Sequence, residues 1–111
     1  MDVELTKAFS FSSSYTIGSR SIGRNFVLRL TVRALSEDEE RALESLVEQE
    51  LVSHLHTRDL SQNVDFLKNV EKTDQALLRA FWERLSRPLA PYGPKRLALE
   101  RDAHTVTTLS V

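Results

Sequence analysis

The sequence predicts an α+β domain in which a four-stranded antiparallel sheet carries two helices on one face. Three observations predict it. Two stretches near the N-terminus alternate apolar and polar residues with a period of two, the pattern of half-buried strands. The middle of the chain holds two apolar stripes at helical spacing, each preceded by a residue suited to cap a helix. The C-terminal stretch then returns to short β-rich runs. Consecutive strands joined by short turns are antiparallel neighbours, and an amphipathic sheet needs helices on its apolar face.

The first strand is predicted over residues 2–15. Val3, Leu5, Phe9 and Phe11 alternate with Glu4, Thr6, Ser10 and Ser12, Lys7 interrupts the apolar face, and Ser12–Ser14 reads as an exposed strand end. Thr16 to Arg24 reads as a connection with Gly18 and Gly23 as its flexible points and Arg20 and Arg24 as solvated loop arginines. The next strand, Asn25 to Ala34, has one wholly apolar face of Phe26, Leu28, Leu30, Val32 and Ala34. Its other face carries Arg29 and Arg33, directed to solvent, to a channel or to another subunit. Ser36 and Glu39 form a capping box. The helix they open is expected to reach about Leu55, burying Leu43, Leu46, Val47, Leu51 and Leu55.

Residues 53–64 read as a polar connection in which His54 and His56 stand two apart, able to share a metal but short of a third ligand. Phe66 and Leu67 are expected to anchor the rest of this loop. Thr73 is an N-cap for a second helix with Leu77, Leu78, Phe81, Trp82 and Leu85 inward, ended by Pro88 and Pro91. Lys95 to Asp102 is a short strand with Leu97 and Leu99 inward and Glu100 opposite, and Thr105 to Val111 is the last strand.

Composition narrows the function classes. A chain of 111 residues, 41% hydrophobic and 28% charged, suits one globular domain over residues 1–111 rather than disorder. A formal net charge of −1 gives no electrostatic footprint for nucleic acid or an anionic membrane. The absence of cysteine removes disulfides, thiolate metal sites and Cys nucleophiles. An acidic N-terminus and the lack of a long apolar run lead to the expectation of a cytoplasmic protein.

The order and spacing of several short motifs resemble the tunnelling-fold (T-fold) proteins, and among them the 6-pyruvoyl-tetrahydropterin and 6-carboxy-tetrahydropterin synthase family. Phe11-Ser12-Ser13-Ser14-Tyr15 is similar to that family's Phe-Ser-Ala-Ala-His, and Ile22-Gly23-Arg24-Asn25-Phe26 to its His-Gly-His-Asn-Tyr. Leu55-His56-Thr57-Arg58-Asp59-Leu60 stands where the family has Leu-Asp-His-Lys-Asn-Leu. Lys72-Thr73-Asp74-Gln75 resembles the start of its second helix, Trp82-Glu83-Arg84-Leu85 the helix's Trp-Glu-Arg-Leu, and Glu100 the glutamate that anchors a pterin ring.

The resemblance implies a zinc-dependent lyase acting on dihydroneopterin triphosphate, and this chain departs from it at the chemistry. Tyr15, Ile22 and Arg24 stand at the three zinc-binding histidine positions, and the catalytic cysteine has no counterpart. Zinc is therefore expected to be absent, and the expected protein is a catalytically degenerate family member. The candidate ligand-binding residues are Glu100, Arg24, Tyr15 and Thr73, with His56 as the one candidate general base. An active enzyme with a displaced metal site on His54, His56 and His104 is one alternative, and a non-catalytic structural subunit is another. The expected partners are further copies of the chain, as a trimer or a dimer of trimers closing the sheets into a barrel, and a pterin- or purine-like heterocycle.

Overall fold

The computed structural model describes residues 2–111. Strands β1 (Glu4–Ile17) and β2 (Arg20–Arg33) form a long hairpin. Helices α1 (Glu37–Val47) and α2 (Asp74–Leu89) follow, then strands β3 (Pro94–Arg101) and β4 (Thr105–Ser110). The sheet is antiparallel throughout, in the order β1-β2-β3-β4, and has the predicted α+β architecture.

The hairpin is longer than the sequence pattern suggests. Pairing runs without interruption from Glu4↔Arg33 to Ile17↔Arg20, so only Gly18 and Ser19 of the expected connection lie outside the strands. Gly23, Arg20 and Arg24 are strand residues. In-register pairing gives each strand residue of this stretch a cross-strand partner, which outweighs its broken apolar alternation. Gly18, at φ 62°, takes the first loop position, as type II′ hairpins require.

Alternation then sorts the side chains. Phe9, Phe11 and Tyr15 of β1, Phe26, Leu28, Leu30 and Val32 of β2, and Leu97 and Leu99 of β3 are buried on the helix side. Phe11 stacks on Phe26 at 5.2 Å and meets Phe81 of α2 edge-on at 6.2 Å. Lys7 stays on the covered face because its ammonium reaches Glu40 and Glu44 of α1. Those hydrogen bonds raise its pKa above the usual lysine range.

Helix α1 starts on the predicted Ser36–Glu39 capping box. It passes into a π-helical segment, Glu48–Val52, and a last turn, Ser53–Leu55. Leu43, Val47, Leu51 and Leu55 are each four residues apart, a spacing that drifts roughly 40° per step on an ideal α-helix. The wider π turn takes that drift out, and all four are fully buried. In α2, Pro88 lies inside the last turn rather than ending the helix, which stops at Leu89. Gly93 (φ 60°) then turns the chain so tightly that a Cβ there would lie 3.1 Å from Arg33 Cγ.

The loop after α1 returns along the outer edge of β1. Ser12 accepts from Thr57 N–H, Ser14 donates to the Arg58 carbonyl and accepts from Leu60 N–H, and Thr16 N–H donates to Ser61 Oγ. This end of the β1 edge is thus closed by the chain itself. No helix of the described residues is long and apolar enough to cross a membrane.

Candidate functional site

The turn end of the hairpin gathers three of the residues singled out from sequence. Tyr15 and Ile22 are cross-strand partners, and Arg24 follows Ile22 by two residues, so all three project from the helix-side face. Tyr15 is 5% exposed. Arg24 Nε donates to the Tyr15 hydroxyl at 3.2 Å, and the guanidinium carbon lies 6.0 Å from the Tyr15 ring centre. Arg24 Nη1 donates to Asp102 Oδ2 at 2.9 Å.

Asp102 closes the cluster from the β3–β4 turn. Its Oδ1 accepts from the Asn25 N–H at 2.8 Å, and its own N–H donates to the Asn25 carbonyl at 2.7 Å. The Asn25 N–H, and then the Arg24 guanidinium, hold the Asp102 carboxyl below the usual carboxylate range. The Tyr15 hydroxyl, and then Asp102, push the Arg24 guanidinium further up. The turn that presents Asp102 carries two non-glycine residues in the left-handed region, Asp102 at φ 52° and Ala103 at φ 60°. One face of α2's first turn ties to the same corner, where Asp74 accepts from Arg101 Nε at 3.0 and 3.2 Å.

Tyr15, Ile22 and Arg24 do not fit a divalent metal. Ile22 has no donor atom, Arg24 brings a fixed positive charge, and the Tyr15 oxygen already accepts from Arg24. The three histidines do not supply a substitute. His54 packs edge-on against Phe66 at 6.4 Å, His56 Nδ1 accepts from the Ser12 N–H at 3.0 Å, and His104 sits exposed in the β3–β4 turn. Among the described residues no group of three or more His, Asp or Glu side chains is placed to hold a metal ion.

Glu100 stands apart from this cluster. It pairs across the sheet with Val27, on the face that no helix covers, whereas Arg24 has the opposite orientation. One of its oxygens lies 3.1 Å from Arg29 Nη1 as an ion pair, and its side chain is 21% exposed. Thr73 caps α2, its hydroxyl accepting from the Ala76 N–H at 3.2 Å. An open groove of about 440 Å³ runs beside the hairpin end, lined by Ser12–Ser14, Gly23–Asn25, Thr57 and Arg58. Ser12 Oγ donates to the Asn25 side-chain carbonyl there at 2.8 Å.

Sequence reasoning missed Asp102, Asn25 and Arg58. An aspartate in a strand-to-strand turn is an ordinary turn residue, and its role comes from a contact with a residue 78 positions away. Thr57, a β-branched residue at φ 60°, is likewise visible only in the backbone.

Fold and site together define a class: a four-stranded meander backed by two helices, with polar side chains gathered at the turn end of the first hairpin, which is the tunnelling fold. The chain is similar to the solved structure of the 6-pyruvoyl tetrahydropterin synthase of Caenorhabditis elegans, with a TM-score of 0.81. That match covers 98% of this chain and 95% of the synthase at 17% sequence identity, a level that shows the fold. No family model and no curated protein sequence matches the chain.

Proposed function

We propose that this chain is a pterin-synthase-like protein that has lost the zinc-dependent lyase chemistry and binds a flat, pterin- or purine-like heterocycle between copies of itself. The observation that carries this reading is the Tyr15–Arg24–Asp102 cluster. A guanidinium seated between a phenol and a carboxylate occupies the corner where the resemblance puts three metal ligands. Glu100 supplies the heterocycle contact: Arg29 pairs with one oxygen of its carboxylate, and among the described residues the other has no ion-pair partner. A carboxylate accepting two N–H groups from a heterocycle edge makes charge-assisted bonds that gain strength as water is excluded.

Arg24 and Glu100 lie on opposite faces of one sheet, so a single ligand reaches both only if they come from different copies. Assembly is supported by the sheet edges. Glu4, Thr6, Ala8 and Ser10 of β1 and Val106, Thr108 and Ser110 of β4 direct backbone groups outward with no backbone partner among the described residues. Such edges favour pairing with further copies, here a trimer or a dimer of trimers in which the sheets close.

The test is calorimetric titration of the parent and of Glu100→Gln with pterin and with guanine. Removing the charge from a bidentate contact costs about 1.5–3 kcal/mol, a weakening of roughly 10- to 150-fold. No saturable binding to the parent, or equal binding to both, overturns the ligand assignment. A second reading, a structural subunit, is favoured by the paired charges of the uncovered face, Arg29 with Glu100 and Arg96 with Glu4. It predicts the same assembly without a ligand.

A further inference from the structure

Each partly buried arginine is matched to a carboxylate, with one exception among the described residues. Arg24, Arg29, Arg33 and Arg101 meet Asp102, Glu100, Glu39 and Asp74. Arg84, on α2, meets none. Its Nε donates to the Glu50 carbonyl, which the π-helical segment presents. Its guanidinium carbon lies 4.3 Å from the centre of the Phe66 ring, and Phe66 is held in turn by the edge of His54. Nη1 and Nη2 make no hydrogen bond among the described residues. A charge withdrawn from water this far ordinarily has a counter-ion.

Arg84 borders a groove of about 400 Å³. Arg58, exposed and also without a carboxylate among the described residues, borders it too, with His54 and Asn63. Val64 and Phe66 form an apolar wall, and Asp65 is the one carboxylate at the groove. Two guanidiniums, an imidazole and an amide give a surplus of hydrogen-bond donors over that single opposing charge. Arg84 is pre-organised for an oxyanion, because its Nε and one face of its planar guanidinium are already held and its outer edge is free.

We propose that this groove binds a small organic phosphate monoester, with the phosphate held by Arg84 and Arg58 and the carbon portion against Val64 and Phe66. This site is separate from the Tyr15–Arg24–Asp102 cluster and independent of whether a heterocycle binds at Glu100. The experiment titrates the isotope-labelled full chain with phenyl phosphate and with inorganic phosphate, followed by amide chemical shifts. Expected is saturable binding of phenyl phosphate with Kd at or below about 1 mM, with shifts centred on residues 63–66 and Arg84. Inorganic phosphate binds several-fold more weakly, because it lacks the contact with the apolar wall.

Arg58→Ala and Arg84→Lys each weaken phenyl phosphate about tenfold or more, and Arg87→Ala, on an exposed part of α2, leaves it unchanged. Arg58 also borders the hairpin groove, so loss in Arg58→Ala without loss in Arg84→Lys assigns the binding elsewhere and overturns the proposal. If Arg84→Lys does not fold, the map of shifts on the parent decides between the two grooves. Absence of saturation up to about 10 mM, equal binding of the two anions, or equal loss in Arg87→Ala also overturns it.

Discussion

Replacing Asp102 tests how the corner of the sheet is held. Asp102→Asn keeps an oxygen for the Asn25 N–H and is tolerated at φ 52°, so it removes mainly the charge facing Arg24. Both side chains of that pair are under a third exposed, at 28% and 29%, which places the loss at about 1 kcal/mol. Asp102→Ala removes both side-chain hydrogen bonds and also puts alanine in the left-handed region. Together these cost about 2–3 kcal/mol. For a domain of this size the melting temperature falls by roughly 4 °C per kcal/mol, so the two variants separate clearly in a thermal melt followed by circular dichroism. The pH dependence has a definite sign. A carboxyl held below its unfolded value contributes fully above about pH 4, and the contribution fades as pH falls through the lower folded value. The gap between the parent and Asp102→Asn is therefore constant between about pH 5 and 8 and closes in stronger acid. Equal stability at neutral pH, or a gap that persists in acid, refutes the role assigned to this carboxylate.

Two further outcomes follow from local geometry. Ala103→Gly relieves a left-handed alanine and raises stability by about 0.5–1 kcal/mol after the added backbone entropy of glycine, read by urea denaturation. Glu39 accepts from Arg33 and caps the Ser36 backbone, which brings its pKa down to about 2, and Arg33→Met returns it toward the ordinary range in a carboxyl titration followed by NMR. Its stabilising effect is complete above the unfolded value, about 4.3, and is lost as pH falls through about 2.

Much of the fold is legible in the sequence because burial imposes a period. Phe26, Leu28, Leu30 and Val32 are all buried as their alternation predicts, and Leu77, Leu78, Phe81 and Leu85 as their helical spacing predicts. The Ser36–Glu39 capping box and the Thr73 cap are local chemistry and form as read. The hairpin end is not legible in the sequence, because Ile17 and Ile22 are the only large apolar residues of Thr16–Arg24 and do not alternate, and its strand character comes from pairing, not pattern. Pro88 misled because its missing N–H costs one bond in a last turn that packing on Leu89 retains.

The candidate site divides the same way. Alternation alone brings Tyr15, Ile22 and Arg24 to one face. Asp102, which defines their chemistry, is contributed by a turn at the far end of the chain, and the return of residues 56–61 along β1 rests on long-range bonds, three of them backbone to backbone and two from the β1 backbone to His56 and Ser61, that no local pattern signals. Glu100 was placed correctly on the uncovered face, but its pairing with Arg29 required the register of β2 against β3.

Native mass spectrometry of the purified protein, with and without added pterin, addresses the central claim most directly, because one spectrum reads assembly, metal content and ligand together. The account predicts a mass corresponding to three or six copies of the 12.7 kDa chain, no stoichiometric zinc, and pterin adducts that disappear in Glu100→Gln while the assembly persists. A monomer, or an assembly carrying one zinc per chain, contradicts it.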